Sequence, residues 1–294
     1  MEHTFEREMG SVRQVTQRTS TVGFTATAIA NAGTIGVYTA SPVTFIASTV
    51  EDTNVLRIWN VTSCANSGAR GDVAFDIMIG GAGSETPIIT GLLFGGRPAY
   101  SSYTIPIYIP GGSRISGRCA AGATSRSLTW SIDTFQGSAL DRGPSRWISY
   151  GTNISSGVGA YGTIIAPGNA TFSAWTSLTT STTYAHDLWM PMTAVGTGTT
   201  ITALNYRSQF SINSTADAAT AVTNGTGFFE GSWHTGTTAE LWGQFATGAN
   251  PVHMGLHDVI YAPRAAAASV SARTMASAAP DSNIASCAIL AAVK

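Results

Sequence analysis

The chain has 294 residues, and only 11% of them carry charge, against ~25% in ordinary soluble domains. At ~150 residues per domain this length predicts two domains, each large enough to bury a core. The net charge of −1, with a single Lys at position 294, excludes the clustered basic footprint that nucleic-acid binding needs.

Charge is densest at the start, where Glu2, Glu6, Arg7, Glu8, Arg13 and Arg18 fall within eighteen residues. Without an apolar h-region this is not a secretory signal. It reads as a docking arm over 1–37, as a short helix or an extended strap, with a frayed terminus as the other reading. From Tyr38 onward, period-two alternation predicts strands at 43–46, 55–61, 73–79 and 127–132, each with one face on a core. Breakers divide them: Asn66-Ser67-Gly68, Gly80-Gly81-Ala82-Gly83, Gly95-Gly96 and Pro110-Gly111-Gly112. Helical periodicity is almost absent, and the Ala265 to Ala268 run suffices for one turn. The fold class read from this pattern is all-β: two tandem antiparallel β-sandwich modules, jelly-roll-like, behind an N-terminal arm.

The tandem reading rests on an internal echo. Ile107-Tyr108-Ile109-Pro110 matches Ile260-Tyr261-Ala262-Pro263, and Ile115-Ser116-Gly117-Arg118 matches Val270-Ser271-Ala272-Arg273 after a two-residue insertion. Upstream, Leu92-Leu93-Phe94-Gly95-Gly96 faces Gly227-Phe228-Phe229-Glu230-Gly231, and Ile77-Met78-Ile79-Gly80 faces Phe210-Ser211-Ile212-Asn213. Four blocks in one order imply duplication. The modules then span 38–137 and 161–294, joined by a Gly/Pro/Ser-rich linker at 138–160. The second module has extra length over 232–250, read as a surface loop suited to recognition.

Chemical motifs are few. Gly157-Val158-Gly159-Ala160-Tyr161-Gly162 spells a dinucleotide fingerprint, but no strand precedes it and no amphipathic helix follows. His253 and His257 would lie about 13 Å apart along a strand, too far to share a metal ion. There is no Gly-x-Ser-x-Gly elbow. Asp187, Asp217, Glu230 and Glu240 are the acids available for glycoside chemistry, which needs two that converge. Neither a catalytic residue, a cofactor nor a metal is expected, and the chain is read as a non-enzyme. Cys64, Cys119 and Cys287 are too few for a disulfide framework and read as buried thiols. The sequons at Asn60, Asn153, Asn169, Asn213 and Asn224 follow from a Thr/Ser-rich composition. No apolar window reaches the ~18 residues of a membrane helix, and the Ala-rich stretch 284–293 is too short.

Trp59 and Trp130 fall on strand faces and are assigned to the core. Trp147, Tyr150, Tyr161, Trp233, His234 and Trp242 lie in or beside the linker and the inserted loop. Flat rings among short polar side chains fit either the C–H faces and hydroxyls of a sugar or a neighbouring subunit.

The run Ile-x-Ile-Pro-Gly-Gly-Ser-Arg-Ile-Ser-Gly-Arg at 107–118, with its weaker copy at 260–273, resembles β-sandwich modules in virion surface proteins of tailed bacteriophages: head decorations, spikes and tail fibres. The second copy replaces Gly-Gly-Ser by Ala265 to Ala268, which puts any role of that turn in doubt there. The resemblance implies a structural protein that decorates or cements a capsid. Its partners would be a major capsid or tail protein, further copies of itself in an oligomer such as a trimer, and a host-surface glycan, with no nucleic acid and no membrane. It would be made in the host cytoplasm and reside on the particle. The alternative is a receptor-binding tail-tip or fibre protein. A glycan-degrading enzyme and an exported adhesin rank behind it.

Overall fold

The computed structural model describes residues 14–18, 27–30, 34, 36–60, 73–94, 102–121, 127–136, 143–153, 162–196, 204–213, 228–235, 259–277 and 284–294. The fold is all-β, with no helix among the described residues. Nine strands form the first half: β1 (Gln14–Arg18), β2 (Thr27–Ala30), β3 (Val43–Ile46), β4 (Thr53–Asn60), β5 (Val73–Ile79), β6 (Thr86–Phe94), β7 (Ser102–Ile109), β8 (Ile115–Ala121) and β9 (Ser127–Gln136). Ten form the second: β10 (Trp147–Tyr150), β11 (Thr163–Ile165), β12 (Gly168–Asn169), β13 (Thr176–Thr179), β14 (His186–Gly196), β15 (Leu204–Asn213), β16 (Phe228–Thr235), β17 (Ile260–Arg264), β18 (Ser269–Ala276) and β19 (Ile284–Val293).

The pairing repeats. In the first half β6-β5-β8-β3 form one layer and β7-β4-β9 the other, with β1 and β2 both paired to β9. In the second half β16-β15-β18-β13 form one layer and β17-β14-β19 the other, with β10 and β11 both paired to β19. In chain order, each half runs first-eighth-third-sixth over second-seventh-fourth-fifth, the two-Greek-key arrangement of a jelly roll. All four sequence blocks of the echo fall on equivalent strands: β5 with β15, β6 with β16, β7 with β17, β8 with β18.

The turn between β7 and β8 repeats as well. Thr49 N–H donates to the Ser113 carbonyl (2.8 Å), Gly112 N–H to the Thr49 carbonyl (2.7 Å) and Ser113 N–H to Thr49 Oγ1 (3.0 Å). In the second half Thr182 N–H donates to the Ala268 carbonyl (2.8 Å), Ala267 N–H to the Thr182 carbonyl (2.8 Å) and Ala268 N–H to Thr182 Oγ1 (3.1 Å). Gly112 has φ +79° and Ala267 φ +65°. The alanine run therefore keeps the turn its glycine counterpart makes, at the cost of a left-handed alanine. The loss of Gly-Gly-Ser in the second copy thus leaves the turn's backbone geometry in place.

The two halves are fused. β10 pairs antiparallel with β19 and parallel with β6 through Trp147 opposite Ile89, so strands of both halves belong to one nine-stranded sheet. Along β19, Ala288, Leu290 and Ala292 enter the first core, whereas Cys287, Ile289 and Ala291 enter the second. β14 divides likewise, with Met190 and Met192 in the first and Trp189 in the second. A strand buried on both faces reads as a near-continuous apolar run rather than an alternating one. That is why 284–293 reads as an Ala-rich run.

Two boundary expectations change. The segment 138–160 holds a strand of the fused sheet, not a free linker. Within 1–37, β1 and β2 lie in the sheet beside β9, so these parts are strands of the first sandwich rather than an arm apart from it.

The first core centres on Trp130, stacked on Phe75 at 4.3 Å and edge-on to Phe94 at 4.4 Å, with Tyr103 edge-on to Phe94 at 4.8 Å. Such ring pairs contribute about 0.5–1.5 kcal/mol each beyond burial. The Trp130 assignment to the core holds. Trp59 lies in β4 opposite Ser131 and Ser102.

Candidate functional site

Of the residues nominated from sequence, Trp147 and Tyr150 lie on β10 and Trp233 and His234 on β16, two strands that do not pair. Trp147 is completely buried, and its indole N–H donates to the Pro106 carbonyl (2.8 Å), pinning the junction of the two halves. It is a core residue, which removes it from contact with a sugar. Tyr150 is half-buried, with its hydroxyl 2.8 Å from His186 Nε2, while His186 Nδ1 lies 2.6 Å from the Ala292 carbonyl. Burial holds the His186 pKa below its ordinary value and raises that of Tyr150. Trp233 and His234 belong to β16, opposite Tyr206 and Asn205, so the stretch read as an inserted loop begins as a strand. Tyr161 and Trp242 lie outside the described residues, as do Asp217, Glu240, His253, His257 and Cys64.

Among the acids, Asp187 pairs with Lys294 Nζ at 3.1 Å, and Glu230 sits opposite Gln209 in the register. No group of three His, Cys, Asp or Glu able to hold a metal ion occurs among the described residues. No helix of the described residues is long and apolar enough to cross a membrane. Cys119 and Cys287 are buried, and burial pushes the Cys287 thiol up to about 12.

The structure instead displays a pair of equivalent polar rows, one per sandwich, on the sheet faces turned away from the cores. In the first, Asp76 on β5 lies opposite Arg118 on β8. Arg118 Nε and Nη2 each reach Asp76 Oδ2 at 2.9 Å, and Asp76 Oδ1 accepts from Gly91 N–H (2.8 Å) and from the Tyr38 hydroxyl (3.0 Å). The Arg118 guanidinium lies 4.6 Å from the Tyr38 ring centre. Asp76 is buried, and its four contacts replace the water it has lost. Burial, reinforced by the Asp76 charge, pushes the Tyr38 hydroxyl pKa far up.

In the second, Gln209 on β15 lies opposite Arg273 on β18. Arg273 Nε donates to Gln209 Oε1 at 2.6 Å, and the guanidinium stands 4.5 Å from the Trp175 ring and 4.8 Å from Phe172. The exposed Arg207 lies 5.9 Å from the same Phe172 ring. Backbone pairing fixes the ring-bearing segment: Ser173 N–H donates to the Thr274 carbonyl (2.9 Å), and Thr274 N–H to Ser173 Oγ (3.2 Å). The Trp175 indole N–H is buried without a hydrogen-bond partner among the described residues.

The rows differ in the charge of the acceptor and in the rings around the arginine. Where the first has a carboxylate, the second has a neutral amide. Among the described residues Arg273 makes no ion pair, whereas Arg118 makes one. Partial burial pulls the Arg273 pKa down, as expected of a desolvated cation. Two rings hold its plane, each such contact stabilising by about 0.5–2 kcal/mol. The Nη groups are left for an acceptor.

Sequence reasoning missed this cluster, although the matched blocks end on Arg118 and Arg273 and so contained its signal. Trp175 was passed over because it sits in no alternating run.

No family model matches the chain, and no curated protein does. Two solved structures show a distant likeness. PNGase F, a glycosylasparaginase from Flavobacterium meningosepticum, is 12% identical over 91% of this chain and 96% of its own, with a TM-score of 0.37. The N-terminal CBM22-1–CBM22-2 tandem domain of Paenibacillus barcinonensis Xyn10C is 9% identical over 96% of this chain and 99% of its own, with a TM-score of 0.27. At these distances neither transfers an activity.

Proposed function

We propose that this chain is a non-catalytic structural protein of a phage particle surface, decorating or cementing the capsid as an oligomer. Its second sandwich presents a face for host glycans. The observation that carries the reading is the fusion of the two sandwiches. β19 and β14 feed both cores, so the chain forms one block across which load passes through packed side chains rather than a linker. Sparse charge supports the assembly role, because a surface with little charge repels its own copies weakly. Neighbouring subunits then add stability by binding the folded state. The phage resemblance of 107–118 supplies the setting.

The glycan limb rests on Trp175, Phe172, Gln209 and Arg273, which combine flat apolar faces with hydrogen-bonding groups on a rigid sheet. The same cluster, found in this form among the described residues of the second sandwich and not of the first, favours the receptor-binding tail-tip alternative. Copy number separates the two. Quantitative mass spectrometry of purified particles should find this chain in hundreds of copies for a cement protein and in a handful for a tail tip. Its absence from particles overturns both.

Catalysis has its own test. Single replacement of Asp187, Glu230 and Glu240 should leave any breakdown of host polysaccharide unaltered. Loss of breakdown in one of them makes the chain an enzyme.

A further inference from the structure

We infer that the Arg273 row is a receptor site for the carboxylate of an acidic sugar. The inference rests on the glycan reading above and adds the ligand's charge class. The chain supplies its own reference state: in the first sandwich Asp76 provides the carboxylate, taking both Nε and Nη2 of Arg118 beneath the Tyr38 ring. In the second, the amide of Gln209 occupies that register position and takes Nε alone. Phe172 and Trp175 replace the single tyrosine, and Arg207 adds a second cation beside Phe172. Glu230 lies opposite Gln209 in the register, so its backbone stands two strands, or about 9.5 Å, from that of Arg273. A planar guanidinium recognises a carboxylate through two parallel N–H···O bonds, and the rings preset that plane. The apolar face of a sugar ring can then lie against the Trp175 and Phe172 rings that flank the guanidinium.

The test uses the full chain on an array where each carboxylated glycan stands beside its carboxyl-reduced counterpart. The expected result is retention of at least one carboxylated glycan, with its reduced form weaker by about tenfold or more. Arg273→Gln should abolish that difference at unchanged melting temperature, Arg273→Lys should restore part of it, and Trp175→Ala should weaken both forms. Equal binding of the two forms, or full selectivity in Arg273→Gln, overturns the acidic-sugar assignment and leaves the glycan reading standing. Retention of no glycan overturns both. Preference for acidic peptides over every glycan overturns the ligand class. Glu230→Gln provides the internal control: a tenfold gain in binding would mean that Glu230 already fills the site, which also overturns the assignment.

Discussion

The two sandwiches use one plan for different ends, and the rows on their outward sheet faces display the difference. Asp76 and Arg118 close upon each other, with Tyr38 and Gly91 completing the carboxylate shell; Gln209 gives Arg273 an amide partner instead, and among the described residues Arg273 makes no ion pair. The repeated plan thus meets two different demands at equivalent positions. A buried ion pair must be satisfied by its own protein, while a binding site must keep a donor for something else. The first copy spends its arginine on the fold. The second holds its arginine ready.

Leu290→Ala should disturb both sandwiches most, because Leu290 lies in the fused sheet and fills the first core from the second half's strand. A loss of about 2–5 kcal/mol is expected. Calorimetry should show one cooperative transition in both parent and variant, shifted down in the variant; two transitions with only one of them shifted would break the picture of a fused body. Next come the rows themselves. Asp76→Ala strips Arg118 and two further donors of their acceptor and should cost about 3 kcal/mol in denaturant unfolding, the low end for a buried pair because Arg118 keeps some solvent. Gln209→Ala, which removes a neutral acceptor from Arg273, should cost less, about 1 kcal/mol for that bond. Equal costs would mean that the rows are energetically alike.

The third test concerns the junction. The native His186 pKa lies below the ordinary 6.5, because burial opposes its charge. The unfolded chain therefore binds the proton more readily. Stability is complete above pH 6.5 and declines as pH falls from there toward the native pKa. Replacing His186 by Gln should flatten that part of the stability–pH curve; an unaltered slope would assign it to other groups. The smallest effect belongs to the paired turns. Ala267→Gly relieves a left-handed alanine and should change stability by at most about 1 kcal/mol in the favourable direction. Gly112→Ala should destabilise by about 1 kcal/mol at the matching position. Opposite signs confirm that the turns are equivalent, and matching signs refute it.

Much of the architecture was legible beforehand. Alternation located β3, β4, β5 and β9, since a strand with one buried face shows its period in the residues themselves. The four echoed blocks located the repeat, as turns and core positions keep their order after duplication. The candidate site was less legible. An aromatic near a Gly/Pro-rich stretch looks like a surface ring, yet Trp147 is completely buried because β10 inserts between β6 and β19. Burial on two sides erases the alternation that would have marked 284–293 as a strand.

Residue order alone therefore determined the pleated character of the chain, its doubling and the two matched arginines, because periodicity and repetition are local properties that need no partner. Only the folded structure decided that β1 and β2 belong to the first sheet, that β19 serves two cores, and which arginine meets a carboxylate. Those outcomes depend on pairings between residues far apart along the chain, and a strand's own alternation specifies its faces without specifying its neighbour.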